Sequence, residues 1–250
     1  MKIAVVTILP DMFSIMFDYG VSGRAIKHGL VKLAIFNPRD FTQDIHRTVD
    51  SRPYGGGPGM IMTVEPLKKA VAAARSWVSE SDTLVVYLSP QGQLLRHSSM
   101  KKSAKRQSLI LVAGRFEGVD ERFIRLEVDE EWSIGDYVLS GGELAAMVVS
   151  DAIIRLIPGA LGHEDGAKQD SFSSGLLEYP QYARPNNVEG LKVPEVLLSG
   201  DHDRINNWRL RQSLLRTRSR RPDIFASLSL SQDQRDLIVM ENNDLQDFGG

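Results

Sequence analysis

The chain has 250 residues, 42% hydrophobic and 25% charged, with a formal net charge of −2. That is enough for one large domain or two smaller ones, and too balanced for a general nucleic-acid coat. It has no cysteine, which excludes disulfides, thiolate nucleophiles and cysteine-based zinc sites together.

Residues 3–9 (IAVVTIL) form a short, continuous, β-branched run, which predicts a buried strand rather than a leader peptide. No run approaches the ~18 apolar residues of a membrane span, so a cytoplasmic protein with no membrane partner is expected. Pro10, Asp11 and Met12 open a helix to about Tyr19, with Gly20 and Gly23 as its breakers. Residues 31–36 read as a second strand. Residues 38–62 are polar and glycine-rich, with Arg39, Arg47, Arg52, Asp40, Asp44, Asp50 and His46. A loop this long inside a compact domain is usually functional or mobile. Its GGGPG run, residues 55–59, lacks the Gly-Lys-Ser/Thr ending of a phosphate loop and the spacing of a dinucleotide fingerprint. It reads either as a flexible turn or as a loop that orders on a substrate beside Arg52.

A helix follows over residues 65–78, with Pro66 suited to its first turn. Residues 83–88 (TLVVYL) are a buried strand, 98–106 a helix, 108–113 (SLILVA) a buried strand and 120–126 a short helix. Residues 132–142 (WSIGDYVLSGG) hold three glycines among apolar residues. This stretch is too broken for a helix and too apolar for a solvated loop. Glycine permits close approach of backbone to backbone or ligand, so it reads as a pocket wall. Residues 142–157 form a helix apolar almost all round, buried on most faces, for which a second subunit is a natural cover.

Alternating apolar strands and helices predict an α/β fold with a mainly parallel sheet. Ligands in such sheets sit beyond the C-terminal strand ends. Residues 89–92, 114–118 and 133–142 fit that rim. After Pro158 the composition turns polar and irregular. Residues 194–200 read as a short ordered link. The remainder reads as a helical region, with helices over 203–218, from Pro222 and from Gln232, and a frayed end at Gly249 and Gly250. Seven arginines and no acid lie between Arg204 and Arg221. They form either a solvated helix face or, beside Trp208, a surface that attracts phosphate.

The five histidines, at 28, 46, 97, 163 and 202, make no HExxH pair, and no GxSxG elbow occurs. The acids and bases near the rim are Glu117, Asp136, Arg155 and Asp170. Arg155 could instead pair with Asp151 at i,i+4, and Asp170 could cap a turn with Ser171.

Several long strings then carry a resemblance: YLSPQG (87–92), GRFEGVDER (114–122), EEWSIGDYVLSGGE (130–143), GALGHE with DSF (159–172), GVSGRA (20–25) and RPYGGGPGM (52–60). Together they resemble the bacterial tRNA (guanine-N1)-methyltransferase family known as TrmD, from near Met1 to about residue 235. The resemblance implies the SPOUT class: an α/β fold whose mainly parallel sheet holds a deep trefoil knot, an exception to the rule against knotted chains. A smaller all-helical C-terminal domain follows. The implied boundaries are 1–160 for the knotted domain, 161–175 for a flexible linker and 176–250 for the tRNA-binding domain. It implies methylation of guanine N1 at position 37 of tRNAs with G36, using S-adenosyl-L-methionine (AdoMet), by a homodimer with shared active sites.

Carried onto this chain, the resemblance places the cofactor on Tyr87, Leu88, Pro90, Gly114, Glu117, Ser133, Ile134, Gly135, Asp136, Tyr137, Val138, Leu139, Gly141 and Gly142. Main-chain groups between Ile134 and Leu139 would take the adenine edge. Asp170 matches the general base and Arg155 the arginine near the guanine. Arg209, Arg216 and Arg220 would contact tRNA. A Mg2+ ion would fit where Glu117, Asp170 and RNA phosphates converge, though no ligand motif shows it. Residues 132–142 become the knotted segment, so Gly141→Val is expected to harm AdoMet binding and folding together. Phe116 stands where many relatives have tyrosine, and Glu178 where many have aspartate. The rival readings are a SPOUT enzyme for another RNA position and a non-catalytic RNA-binding protein with a sensing pocket.

Overall fold

The computed structural model describes residues 1–162 and 166–239. The chain divides into two compact units, Met1–Glu164 and Asp165–Gly250, each described by itself.

The first unit is built on five strands: β1 (Lys2–Val6), β2 (Lys32–Phe36), β5 (Leu84–Leu94), β6 (Ser108–Ala113) and β7 (Glu130–Ser133), with a small antiparallel pair, β3 (Asp50–Ser51) and β4 (Ile61–Met62), apart from them. The five form one all-parallel sheet in the order β2-β1-β6-β5-β7. Strands buried on both faces need apolar residues at every position. Ile3, Val5, Val86, Leu88, Leu109, Leu111 and Trp132 pack on one side; Ala4, Val6, Val85, Tyr87, Ile110 and Val112 pack on the other.

Among the described residues of this unit there are six α-helices: α1 (Ser14–Asp18), α2 (Gly20–Lys27), α3 (Val64–Val78), α4 (His97–Ser103), α5 (Glu121–Glu127) and α6 (Glu143–Ile154). In α3 the buried residues Leu67, Ala70, Val71, Ala74 and Val78 recur at helical spacing, the stripe that seats it on the sheet. Helix α6 packs on β6, α2 and α4. It keeps an open apolar face, where Leu144 and Val148 are 46% and 53% exposed.

Three expectations change. The break expected at Gly20 occurs, with α1 ending at Asp18 and Gly20 at φ 68° starting α2, but Gly23 lies inside α2 and breaks nothing. A Cβ on Gly23 would stand 2.8 Å from the Asp18 carbonyl carbon, so its glycine serves the close approach of α1 and α2. The strand expected to stop at Leu88 runs on to Leu94. Residues 130–133, partly read as loop, form the edge strand β7. Two consecutive glutamates hid it, because one of them is exposed and the apolar signal rests on Trp132.

The second unit contains α7 (Gly166–Gln169), α8 (His202–Arg220), α9 (Pro222–Phe225) and α10 (Gln232–Val239). The expectation of an all-helical region is corrected by a hairpin, β8 (Asn187–Val188) with β9 (Leu191–Lys192). Its turn residues Glu189 and Gly190 both have positive φ, 52° and 88°, the tight turn that suits two-residue hairpins. The expected link at 194–200 contains a 3-10 turn, Glu195–Leu198. A small core forms from Val196, Ile205 and Trp208. His163, part of the expected linker, and the expected frayed end at Gly249 and Gly250 lie outside the described residues. No helix among the described residues is long and apolar enough to cross a membrane.

Candidate active site

The C-terminal ends of β5, β6 and β7 enclose a cavity of about 310 Å3. Its wall comes from residues 87–91, 114–118, 132–135 and 137–142, closed by Ala145 of α6. It takes in the expected rim segments 89–92, 114–118 and 133–142 except Gly92 and Asp136, and adds Tyr87, Leu88 and Trp132. Every residue expected at the cofactor lines it except Asp136, which is exposed and is not among the lining residues. Tyr137 and Val138 are 54% and 85% exposed, an open part of that wall.

The loop reaches its place by backbone packing. Gly142 N donates to Gly114 O at 2.8 Å, and Arg115 forms an antiparallel bridge with Gly141. A Cβ on Gly142 would stand 2.8 Å from Ala113 Cα and 3.1 Å from Gly114 N, so only glycine fits. Trp132 pairs with Leu88 and again with Gln93, so residues 89–92 leave the ladder and rejoin it. Gly92 permits that excursion, since a side chain there would collide with the Glu131 and Trp132 backbone. Ser133 Oγ donates to Gly135 O at 3.1 Å and accepts from Gly135 N at 3.2 Å, closing the first turn of the loop. Tyr87 lies under Gly114, with its ring 2.8 Å from where a Cβ would be. Burial pushes the Tyr87 phenol up, and the Glu131 carboxylate adds to the effect. Glu131 is itself raised by burial and then by Glu121.

Arg115 and Glu117 are the charged residues of the cavity wall. Behind them stands Glu143, fully buried at the first position of α6. Its Oε1 accepts from Thr7 Oγ1 at 2.9 Å, and its Oε2 lies 3.6 Å from Arg115 Nη1 with no hydrogen bond of its own. Arg115 Nη1 also reaches Ser140 Oγ at 3.5 Å. Sequence reasoning did not select Arg115 or Glu143. GRFEG drew attention to Glu117, and an acid at a helix start reads as an ordinary partner of the helix dipole.

Gly55, Gly56, Gly57 and Gly59 all have positive φ, so the GGGPG run is a glycine-dependent turn. It leads into the cavity wall. Glu117 N donates to Met60 O at 2.9 Å, Met62 N to Gly118 O at 2.9 Å, and Asp120 N to Met62 O at 3.0 Å. A Cβ on Gly59 would fall on the Glu117 side chain.

Arg155 caps the C-terminus of α6 in the first unit, its N–H donating to Asp151 O at 3.0 Å. The Asp151 carboxylate accepts from Ser22 Oγ at 2.6 Å. Asp170 belongs to the second unit, in a turn where Ser173 N donates to its carbonyl at 3.1 Å. It lines a cavity of about 260 Å3 with Glu178 and Arg209. The neighbouring Ser171 Oγ accepts from Glu178 N at 3.0 Å. Of the residues expected at RNA, Arg220 is exposed and Arg216 half-buried. Arg209 is partly structural, its guanidinium stacked over Tyr179 at 4.9 Å. No cluster of three or more His, Asp or Glu arranged to hold a metal occurs among the described residues.

The family model described as tRNA (Guanine-1)-methyltransferase TrmD matches residues 1–227. Relatives named tRNA (guanine-N(1)-)-methyltransferase include one from Idiomarina loihiensis, 57% identical over 95% of this chain and 94% of its own length. One from Shewanella amazonensis is 57% identical over 96% and 95%, and one from Shewanella denitrificans 55% identical over 98% of both. The chain therefore belongs to the tRNA (guanine-N1)-methyltransferase family.

Proposed function

We propose that the protein methylates guanine N1 at position 37 of tRNAs that carry G36, with AdoMet as methyl donor. The observation that carries this reading is the convergence of residues 87–91, 114–118 and 132–142 on one cavity, in a chain of this family. The cavity suits the cofactor. Close-packed glycines leave main-chain groups at its surface, Leu88, Ile134 and Leu139 give it apolar wall, and Glu117 and Arg115 provide one charge of each sign. Those charges match the ammonium and carboxylate of an amino-acid moiety. When bound, AdoMet supplies an electrophilic methyl group on a sulfonium.

The remaining work falls to the chain's own residues. Guanine N1 carries a proton at neutral pH, and that proton must leave. Asp170 accepts it. A free aspartate, with pKa about 3.9, is a weak base, so the step requires water to be excluded around the accepting carboxylate. Arg155 stabilises negative charge developing on guanine O6. The target base is unstacked and swung into the site, as for other base-modifying enzymes.

The doubled pairing of Trp132 and the tight seats of Gly92 and Gly142 support a knotted passage of residues 132–142. The open apolar face of α6 supports a homodimer, in which each site draws on both subunits. In this reading residues 1–160 perform transfer, 161–175 link, and 176–250 hold tRNA. Asp170→Asn tests it: AdoMet affinity stays at the wild-type value while methyl transfer falls by at least about 100-fold, the lower range for loss of a general base. Retained turnover removes Asp170 from the role. Arg155→Lys fails as well, because a point charge does not replace a planar fork.

A further inference from the structure

The second unit contains a cavity that the methyl-transfer chemistry does not use. It encloses about 250 Å3 between the segment 179–186 and α8. Three aromatic side chains, Tyr179, Tyr182 and Trp208, and two cations, Arg184 and Arg209, line it, and no acidic residue does. The nearest acid in sequence, Glu178, is engaged by Gln181 Nε2 at 2.8 Å.

Two features of this wall point to a ligand. Trp208 is 5% exposed, and its indole Nε1 has no hydrogen-bond partner. The Nε of Arg209 is likewise buried without one. A buried donor left unpaired costs free energy, and two beside one cavity mark a place where an acceptor is wanted. Second, Tyr182 is 49% exposed and lies 6.4 Å from Trp208, centroid to centroid, at 51°. The half-exposed ring rests against the buried Trp208 of the small core and leaves its other side open. A half-open aromatic surface flanked by arginines has the chemistry of a single-stranded nucleic-acid subsite: a face for a base and cations for its phosphate.

We infer that this cavity is a nucleotide subsite that takes one unstacked base of the RNA substrate against Tyr182, with its phosphate on Arg184 and its acceptor atoms toward Trp208 and Arg209. The inference rests on the reading of the protein as a tRNA enzyme and adds to it a subsite distinct from that of the target guanine. It also separates two kinds of affinity in one unit. The arginines of α8 attract phosphate and respond to salt, whereas stacking on Tyr182 does not.

The test is tRNA binding by the full-length chain, with an unmodified transcript carrying G36 and G37, across a salt series. Tyr182→Ala is expected to raise Kd at least about fivefold, the lower range for loss of one base–aromatic stack, with the slope of log Kd against log salt unchanged. Tyr182→Phe keeps the ring and binds as wild type. Arg184→Met raises Kd and lowers that slope by about 0.7, the value for one phosphate on a single strand. AdoMet affinity stays constant in all three variants, which reports an intact first unit. A Kd for Tyr182→Ala within twofold of wild type overturns the inference, and so does equal loss in Tyr182→Ala and Tyr182→Phe. Failure of the wild-type chain to methylate the transcript would instead overturn the enzymatic reading, so the two failures are distinguishable.

Discussion

Arg115 Nη1 and Glu143 Oε2 stand 3.6 Å apart, one at the cavity wall and the other sealed in the core. The pair ties the start of α6 to the strand end after β6, and Ser140 joins it through Arg115. Removing one member of a buried pair leaves the other uncompensated. Here Arg115 keeps 26% of its side chain in solvent, which softens the loss. Glu143→Gln preserves volume and the bond from Thr7. It should cost about 1–3 kcal/mol of stability, or roughly 2–10 °C in melting temperature for a chain of this size. AdoMet affinity should fall with it. Thermal unfolding and calorimetric titration check both, and an unchanged melting temperature with unchanged affinity contradicts the role.

Gly141 and Gly142 differ in what surrounds them. A side chain at Gly142 meets backbone of Ala113 and Gly114, whereas at Gly141 it meets the side chains of Arg115 and Glu143. Gly142→Ala should therefore act as overpacking, costing about 1–3 kcal/mol. Gly141→Ala should weaken AdoMet binding more than folding, because Arg115 can move. The combined effect expected of Gly141→Val stands for that larger side chain. Denaturant unfolding of the two alanine variants, beside AdoMet titration, separates them. Equal stability loss in both would contradict the distinction.

The arginines of α8 also divide. Arg216→Glu and Arg220→Glu should weaken tRNA binding and reduce its salt dependence by roughly 0.7–0.9 for each phosphate no longer neutralised, with AdoMet affinity untouched. Arg209→Glu should in addition lower stability, because Arg209 stacks on Tyr179. Filter binding over a salt series checks this, and wild-type salt dependence in Arg216→Glu and Arg220→Glu places the RNA surface elsewhere.

A pH effect follows at the junction of α8 and α9. The Arg221 guanidinium, bonded to Asp223 at 2.7 and 2.9 Å, holds the Asp223 carboxyl down at about 2. The folded value lies below the unfolded one, so the pair's contribution is present above the ordinary carboxylate range and is lost as pH falls through about 2. Both side chains are exposed enough that the contribution is small. NMR titration should find the Asp223 midpoint near 2, and Arg221→Met should raise it toward the free value of about 3.9, with the backbone bonds at Ile224 and Asp223 still holding it somewhat below. A midpoint that ignores the substitution contradicts the assignment.

Much of the parallel sheet was legible because both-face burial writes continuous apolar runs, as in SLILVA. The cavity was legible because glycine and small polar residues punctuate the strand ends. What escaped was either short or non-local. β7 is four residues with two glutamates. The seat of Gly23 depends on Asp18 across a helix junction, and the role of Glu143 depends on Thr7, 136 positions away. The hairpin at Asn187–Lys192 is too short for alternation to register, although its Asn187, Glu189 and Gly190 carry the turn. Asp170 and Arg155 were selected by resemblance, since each also has an ordinary local use as a turn or cap residue.

Methylation of guanine 37 is the reading on which the rest depends. It can be tested by transfer of a labelled methyl group from AdoMet to two tRNA transcripts, identical except for G37 or A37 and both carrying G36. Incorporation into the G37 transcript at the N1 position is expected, with background incorporation into A37. Equal incorporation into both, or none into G37, would contradict it.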